Sequence, residues 1–416
     1  MEVAAAKRAF PVEEIRAEFP ILTREAHGHP IAYLDNGATA QKPLAVIETL
    51  DRFNREQNAN VHRGVYELSE RATELYEGGR HTVAAHIGAP TEELVFVRNA
   101  TEAINLVARS WGAANLGPGD RVLLTELEHH SNIVPWYLIA RERGAELNWV
   151  PVTEEGRLDM DELRAALQRG PKLVAVAHVS NVLGTINPVE EIARLAHDAG
   201  ALVLLDGAQA APKLRLDMAT LGADFYALTA HKLYGPTGIG ALWARRELLE
   251  GMDPYQGGGS MIRQVRKDEI TWARVPTKFE AGTPAIAQAI GFAAAVEWVD
   301  RVGLEAIHER DAELAAYALE RMVDVPGLRV FGPPAGEDRG GIISFDLEGI
   351  HPHDVAQILD RHAVYVRAGH HCAQILMGRL GVAATTRASF APYNTTEEIE
   401  RLIEALKDAR RVFKLD

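Results

Sequence analysis

Two neighbouring β-type runs near the middle of the chain each lead to residues that could take part in chemistry. The apolar residues 202–205 lead to Asp206, and residues 225–228 lead to Lys232 and a turn rich in glycine and proline at 235–240. In an open α/β sheet, ligands collect beyond the carboxyl ends of the strands, so we expect the carboxylate and the lysine to face one crevice. Pyridoxal phosphate needs a lysine for its aldehyde and an acid beside its pyridinium nitrogen. The pair favours this cofactor over a helix-capping aspartate and a surface lysine, because a solvated lysine needs no glycine turn behind it.

The start of a predicted helix offers a place for a phosphate group. A strand at 94–97 is followed by the residues NATE at 99–102, which open a helix running to Ala108. The unpaired N–H groups and the partial positive charge of a helix N-terminus bind anions. Thr101 could instead be the N-cap of this helix, and the sequence leaves both interpretations open.

Other polar residues follow predicted strand ends or interrupt helices. His129 follows one strand and could stack on a flat ring or relay protons. Asn181 follows the next strand and could donate to an oxygen in the crevice. His62 and Arg63 lie on a polar break before a long helix, where loop residues can reach a ligand.

Cys372 is the single cysteine, so an intrachain disulfide is impossible. A lone cysteine is often a small buried hydrophobe, but a lone thiol in an intracellular enzyme can also be a nucleophile. The preceding residues, RAGHH, form a polar loop, and positive charge nearby would stabilise a thiolate. A metal site made of residues 370–372 is disfavoured, because three consecutive side chains rarely converge on one ion with tetrahedral geometry.

The composition excludes several classes of partner. The formal net charge is −14, and acidic and basic residues are interspersed, which argues against nucleic acid or an anionic membrane surface as the main partner. Apolar runs fall short of the roughly 20 residues that cross a bilayer. The first residues lack the apolar core of a secretory signal, so we expect a cytoplasmic protein.

The order of predicted elements indicates an α/β architecture followed by an α+β segment. Strand, helix and strand alternate at a spacing of roughly 30 residues, which is typical of βαβ units and a mostly parallel sheet. A polar loop at 257–284 precedes two amphipathic helices at about 284–301 and 304–323. The domain boundary is expected within or after the first of these helices. A capping box, TTEE at 395–398, opens the last helix.

Ordered sequence blocks span nearly the whole chain, from YLDNGATAQKP at 33–43 to ASFAPYNTTEE at 388–398. Between them, in order, lie VHRGV, FVRNATEAINLVA, EHHSNIVPW, HVSNVLGT, LLDGAQA, HKLYGPTGIG, GGGSMI, FEAGTP and RAGHHCA. In this order the blocks resemble the SufS-like cysteine desulfurases of the class V aminotransferase group. The resemblance implies the α/β fold of fold-type-I pyridoxal phosphate enzymes, with a large domain of mixed, mostly parallel sheet at 27–300. It also implies a smaller α+β domain built from 1–26 and 301–416.

The resemblance assigns the cofactor ring to residues of these blocks. Lys232 would bond the aldehyde, Asp206 would pair with the ring nitrogen, and His129 would stack on the ring and relay protons. Gln209 and Asn181 would hydrogen-bond on the phenolic oxygen side.

The phosphate group would be held by a second set of matching residues: Ala100, Thr101, Thr229 and His231. Thr229 stands where the family commonly has serine, and the hydroxyl is kept. Thr283 resembles the residue that completes the phosphate site from the second subunit, which implies a homodimer.

The substrate side of the site is implied by further matches. Arg387 would clamp the substrate carboxylate with its guanidinium fork. Arg367, His62 and Arg63 would line the same pocket. Cys372 would be the nucleophile that becomes a persulfide.

The activity implied is the conversion of L-cysteine to L-alanine, with sulfur left on Cys372. Lys232 would remove the Cα proton before Cys372 attacks the substrate sulfur. The short loop around Cys372 resembles the branch that passes sulfur to a SufE- or SufU-type acceptor protein for iron–sulfur cluster assembly. Some relatives with the HPHD segment use a zinc-bearing acceptor, so His353 could be a ligand to that zinc. A solvent-exposed histidine at a helix start is the equally weighted alternative.

Two other functions remain open at this point. A selenocysteine lyase would share the scaffold, and comparing the turnover of cysteine and selenocysteine would separate the two activities. A non-catalytic sulfur-carrier scaffold would keep the fold alone, but the presence of Lys232, Asp206, Arg387 and Cys372 argues against it.

Overall fold

A seven-stranded sheet is central to the computed structural model, which describes residues 10–336 and 338–415. Across the sheet the strands are, in order, Leu94–Val97, Gly240–Ala244, Phe225–Thr229, Leu202–Asp206, Leu173–Ala177, Arg121–Thr125 and Glu146–Val150. The last five are mutually parallel, and Gly240–Ala244 runs antiparallel to both of its neighbours. The mixed, mostly parallel sheet expected from the sequence is confirmed.

The central strands are apolar because helices cover both faces of the sheet. All five residues of Phe225–Thr229 and of Leu173–Ala177 are buried. Val203 and Leu205 pack into the hydrophobic cluster on one face, and Leu204 packs into the cluster on the other. A strand buried on both sides reads as a continuous apolar run, which is why these strands were visible in the sequence.

The α-helices surround this sheet and a smaller one. Their bounds are Val12–Ala17, Leu44–Arg52, Glu67–His86, Ala100–Val107, Ala113–Asn115, Val134–Arg143, Met160–Leu167, Val189–Asp198, Arg246–Gly251, Ile286–Val302, Leu304–Met322, Pro352–Arg361, Gln374–Leu380 and Thr396–Phe413. Among the described residues, none of the helices combines the length and hydropathy that a membrane crossing requires.

A second, antiparallel sheet follows in the C-terminal part of the described chain. Its strands, in order, are Leu328–Phe331, Ile342–Leu347, Thr385–Ser389 and Arg367–Gly369. Helices Pro352–Arg361 and Thr396–Phe413 pack on it through a separate hydrophobic cluster. The capping box is present: Thr395 Oγ1 accepts from the Glu398 N–H at 3.3 Å, and Glu398 Oε2 accepts from the Thr395 N–H at 3.2 Å. The α+β character of this part is confirmed, whereas the proposed division at 27–300 stays a prediction.

Two segments differ from the sequence-based expectation. The loop predicted at 257–284 contains a two-stranded hairpin, Ile262–Val265 with Ile270–Trp272, which is largely exposed and therefore carries no buried apolar pattern. The run VYVR at 364–367 reads as a single strand in the sequence, but the structure divides it: Val364–Tyr365 pairs in parallel with Ala32–Tyr33, and Arg367–Gly369 joins the second sheet.

Candidate active site

A cavity of about 310 Å³ opens at the carboxyl ends of the central strands. Its wall brings together residues that the sequence singled out across most of the chain: Ala100, Thr101, His129, Asn181, Asp206, Gln209, Thr229, His231, Lys232, Arg367, Cys372 and Arg387. The residues up to Lys232 meet here because parallel strands place their carboxyl ends along the same edge of a sheet. Arg367, Cys372 and Arg387 are brought to that edge by the second sheet and the loop that follows Arg367–Gly369.

Asp206 and Lys232 lie at the ends of adjacent parallel strands in this cavity. Burial raises the pKa of Asp206, and the charge of Lys232 opposes that rise. Burial also lowers the pKa of Lys232 to about 8, against the opposing charge of Asp206. The lysine amine is therefore held much closer to neutrality than in water, which favours its use as a nucleophile and as a base.

One end of the cavity has the chemistry of a phosphate site. The Thr229 hydroxyl is buried and, within residues 10–336 and 338–415, has no hydrogen-bond partner. The helix Ala100–Val107 begins here with Asn99 as its N-cap, since Asn99 Oδ1 accepts from the Glu102 N–H at 2.9 Å. The alternative that Thr101 caps this helix is therefore wrong. The Thr101 hydroxyl instead contacts Ser131 Oγ at 2.7 Å on the cavity wall.

These groups fit pyridoxal phosphate. Burial lowers the pKa of His231 to about 4, so this ring is neutral and can donate a hydrogen bond beside the orphaned Thr229 hydroxyl. A helix N-terminus and hydroxyl groups bind a phosphate, while Asp206 and Lys232 supply the acid and the amine that the ring requires.

His129 is neutral and oriented by its neighbours. Its Nδ1 accepts from the Ser131 N–H at 3.1 Å, which places the proton of the neutral ring on Nε2. Burial lowers the pKa of His129 to about 3, and Lys232 adds to the shift. The ring can therefore stack on a cofactor and donate a hydrogen bond without carrying charge.

Glu128, the residue before His129, is a buried group whose role sequence reasoning missed. Its carboxylate accepts from the Thr125 hydroxyl at 2.6 Å, from Asn132 Nδ2 at 2.7 Å and from the Ala177 N–H at 3.0 Å. It therefore ties two strand ends to the turn that carries His129. The only signal in the sequence is a carboxylate a few residues beyond the end of an apolar strand.

Arg367 and Arg387 share a carboxylate, Asp35, whose role the sequence analysis did not predict. Asp35 pairs with Arg367 at 2.9 Å and with Arg387 at 3.3 Å. Arg387 also donates from Nη1 to the Asn181 carbonyl at 2.7 Å, and its buried Nε has no partner among the described residues. The guanidinium is thus positioned with one donor unused, which suits the binding of a carboxylate.

The two amides expected near the phenolic oxygen of the ring line the cavity and also make backbone contacts. Gln209 Nε2 donates to the Gly37 carbonyl at 2.7 Å, and Asn181 Nδ2 donates to the His371 carbonyl at 2.8 Å. Their role toward the cofactor stays a prediction.

The loop that carries Cys372 is exposed but firmly held. The Cys372 carbonyl accepts from the His130 N–H at 2.7 Å, and the Cys372 N–H donates to His370 Nδ1 at 3.1 Å. His371 and Cys372 both have positive φ, 51° and 56°, which is uncommon for residues with a Cβ. Strain of this kind persists where surrounding contacts fix the backbone, and it is frequent at functional sites.

His130, His370 and Cys372 each bring one potential metal-ligand atom to within 4.8 Å of the others. The sequence had directed attention to residues 370–372. His371 is not part of this group, because its ring is buried and lies 3.0 Å from Thr385 Oγ1. His130, from a different part of the chain, takes the third position. This group surrounds the thiol with two imidazoles rather than three consecutive side chains.

Three predicted residues lie outside this cavity. Thr283, His62 and Arg63 line a separate cavity of about 230 Å³, and His62 Nε2 contacts Glu77 Oε1 at 2.8 Å. His62 and Arg63 do not line the cavity around Lys232 within a single chain, because the loop 60–63 packs beside 282–284. Their place in the pocket of Arg387 stays a prediction. Thr283 lines the same separate cavity and is absent from the wall around Lys232. Its role in the phosphate site of a second subunit stays a prediction. His353 is exposed in the first turn of helix Pro352–Arg361.

The chain belongs to the class V aminotransferase family, whose family model matches residues 32–402. A probable cysteine desulfurase of Halalkalibacterium halodurans is 49% identical over 96% of this chain and 98% of its own length. The apo structure of a cysteine desulfurase from Thermococcus onnurineus is similar with a TM-score of 0.92 and 39% identity, covering 98% of this chain and all of that one. The structure of the Escherichia coli cysteine desulfurase CsdA, in an S-sulfonic acid form, has a TM-score of 0.90 and 37% identity, covering 97% of this chain and all of that one.

Proposed function

We propose that the protein is a pyridoxal phosphate-dependent cysteine desulfurase that converts L-cysteine to L-alanine and leaves the sulfur on Cys372. The observation that carries this proposal is that the thiol of Cys372 shares one cavity with Lys232, Asp206 and Arg387. The relatives and solved structures with which the chain aligns over nearly its full length are named cysteine desulfurases.

Asp206, Thr229, His231, Lys232 and the N-terminus of helix Ala100–Val107 would hold the cofactor. When bound, it accepts the electron pair that is left on the substrate when the Cα–H bond breaks.

The chain's own residues then have separable tasks. Arg387, with Arg367 beside it, binds the carboxylate of cysteine and fixes its orientation. Lys232 takes the Cα proton with an amine whose pKa is lowered to about 8. His129 covers the ring and keeps an N–H donor at Nε2.

Cys372 completes the reaction as a thiolate. Its sulfur forms a bond to the sulfur of the substrate while the substrate Cβ–S bond breaks, and the electron pair of that bond stays with the carbon. Protonation of this carbon and of Cα gives alanine, and the persulfide remains on the enzyme. The exposed position of Cys372 allows an acceptor protein to reach the transferred sulfur.

We further propose a homodimer, in which Thr283 of each chain completes the phosphate site of the other, and a SufE- or SufU-type acceptor that passes sulfur to iron–sulfur cluster assembly. If a zinc-bearing acceptor uses His353, then His353→Ala will reduce acceptor-stimulated activity. Unchanged stimulation would remove His353 from the proposal. The location of the protein in the cytoplasm, expected from the sequence, also stays a prediction.

The first experiment measures alanine and reducible sulfur formed from cysteine, for the wild type and Cys372→Ala. We expect alanine release by the wild type, a reductant-labile sulfur on Cys372, and loss of cysteine turnover in the variant. Selenocysteine cleavage retained by the variant agrees with this scheme, because selenium can leave without thiolate attack. A wild type that binds the cofactor and releases no alanine from cysteine would contradict the choice of substrate.

A further inference from the structure

Lys42 is partly buried beside the turn that carries Lys232, although it is absent from the wall of the catalytic cavity. Its ammonium group donates to the Ala40 carbonyl and, at 3.2 Å, to the His231 carbonyl. Both acceptors are neutral. Burial lowers the pKa of Lys42 to about 8, and no carboxylate in the described part of the chain opposes that shift. A buried cation without an anion costs stability, so the fold alone gives no reason for a lysine at this position.

The His231 carbonyl receives two more donors from the same segment as Lys42. Thr39 Oγ1 donates to it at 3.1 Å, and the Ala40 N–H donates to it at 3.0 Å. A carbonyl oxygen has two lone pairs, so three donors exceed its ordinary capacity. The residues 39–42 are therefore arranged around this one oxygen.

This oxygen belongs to the peptide group that joins His231 to Lys232. A peptide group is planar, so a fixed carbonyl also fixes the direction in which the backbone enters Lys232. The short turn Ala230–Lys232 closes through the Ala230 carbonyl, which accepts from the Leu233 and Gly235 N–H groups, each at 2.9 Å. The orientation of the next peptide group is thus set from outside the turn, by the segment that contains Lys42.

We propose that Lys42 is a positioning residue of the cofactor site: its ammonium holds the peptide group before Lys232, so that the Lys232 amine meets the cofactor aldehyde. This proposal rests on the pyridoxal phosphate site described above. Thr39 and the Ala40 N–H hold the same oxygen, but Lys42 alone among these three donors brings a charge to it. A hydrogen bond from a charged donor is stronger than one between neutral groups.

The charge of Lys42 also acts on the residue before Lys232. The pKa of His231 is lowered first by burial, then by the charge of Lys232 and then by that of Lys42. Lys42 therefore helps to keep the His231 ring neutral at the phosphate end of the cavity. Its two effects concern the two residues that the fixed peptide group joins.

The first test titrates the cofactor-free protein with pyridoxal phosphate and follows the absorbance of the bound cofactor. Lys42→Met removes the ammonium and should weaken binding about tenfold, the equivalent of one charged hydrogen bond. Lys42→Arg keeps a charged donor and should bind more tightly than Lys42→Met. Lys172→Met is the matched control at a lysine that donates to the Asn115 carbonyl at 2.8 Å, and it should bind normally.

Two further measurements separate positioning from a merely structural role. In the loaded Lys42→Met variant, the cofactor absorbance should titrate at a different pH from the wild type, because the Lys232 amine is placed differently. Urea unfolding of the cofactor-free variant at pH 7 should show a stability equal to or above that of the wild type. At this pH Lys42 is charged in the folded and unfolded chains, and burial disfavours the charge only in the folded one.

Lower stability of Lys42→Met, with normal cofactor affinity and an unchanged titration, would make Lys42 a structural residue and would overturn the proposal. Pyridoxal, which lacks the phosphate, should lose affinity by the same factor as pyridoxal phosphate. A loss confined to pyridoxal phosphate would mean that Lys42 acts on the phosphate charge, and would also overturn positioning. Failure of the wild type to bind either compound would instead overturn the cofactor site. None of these readouts depends on cysteine being the substrate.

Discussion

The two halves of the catalytic cavity are built by different means. Asp206 and Lys232 stand at the ends of adjacent strands whose register fixes their separation, with Asp206 opposite Ala227. Cys372 stands on an exposed loop between Arg367–Gly369 and Gln374–Leu380, held by hydrogen bonds to His130 and His370. The cofactor half thus obtains its precision from the sheet, and the nucleophile half obtains it from a few local contacts. The difference leaves Asp206 and Lys232 buried and Cys372 exposed.

The largest effects separate the two halves directly. Lys232→Ala should lower kcat for cysteine by a factor of roughly 10³ or more and abolish the covalent link to the cofactor. Cys372→Ser should lower cysteine turnover comparably and leave the cofactor absorbance of the resting enzyme unchanged. Spectra and alanine release measured on both variants test this, and an altered resting spectrum in Cys372→Ser would break the proposed separation.

The next effect concerns the stability of the cofactor-free protein. The pKa of Lys232 is lowered from 10.5 to about 8 by burial, so below pH 8 its charge destabilises the fold. Between about pH 8 and 10.5 the unfolded chain binds more protons, and stability therefore rises with pH. Lys232→Met should stabilise the cofactor-free protein at pH 7 by up to about 3 kcal/mol, with the gain shrinking toward pH 10.5.

Urea unfolding across this pH range measures that gain. Lys407→Met, at a lysine that pairs with Glu404 at 3.0 Å on the protein surface, is the control and should show no such pH dependence. If Lys232→Met raised the free energy of unfolding equally at pH 7 and pH 10.5, the removal of a buried charge would not be the cause of the increase.

A third prediction concerns the carboxylate that lies between the two arginines. Asp35→Asn should raise the KM for cysteine by roughly tenfold or more, because Arg387 and Arg367 lose a charged partner that orients them. Asp51→Asn removes an exposed carboxylate that pairs with Arg55 and serves as the control. Steady-state kinetics check the result, and a fall in kcat at constant KM would assign Asp35 to the chemical step instead.

The smallest predicted effect is in the nucleophile loop. His370→Ala removes the acceptor of the Cys372 N–H and should lower kcat by roughly fivefold, the equivalent of one ordinary hydrogen bond. Cofactor binding should stay the same, since His370 is absent from the cavity wall. His81→Ala is the control at another exposed histidine, which contacts Thr91 at 3.1 Å. Weaker cofactor binding in His370→Ala would show that the two halves are not independent.

The sequence predicted the cofactor half better than the rest, for a physical reason. A strand buried on both faces is a continuous apolar run, so Asp206 and Lys232 could be placed at strand ends without a structure. The partnership of Asp35 with Arg387 could not be found in this way, because 352 positions separate the two residues and a surface turn also explains an aspartate there. The hairpin Ile262–Val265 with Ile270–Trp272 escaped because it buries too little to leave a pattern. The positions of His62 and Arg63 depend on loop packing, which residue spacing does not encode.

The long separation between Asp35 and Arg387 also sets an order of assembly during synthesis. Domains fold as units as the chain emerges, and the strands that carry Asp206 and Lys232 are complete long before residue 300 is made. Thr385–Ser389, which brings Arg387 and pairs at Asp35 through Ser389, is among the last elements to leave the ribosome. We therefore expect a nascent chain to acquire the cofactor half of its site first. It becomes able to bind cysteine only when synthesis is nearly finished.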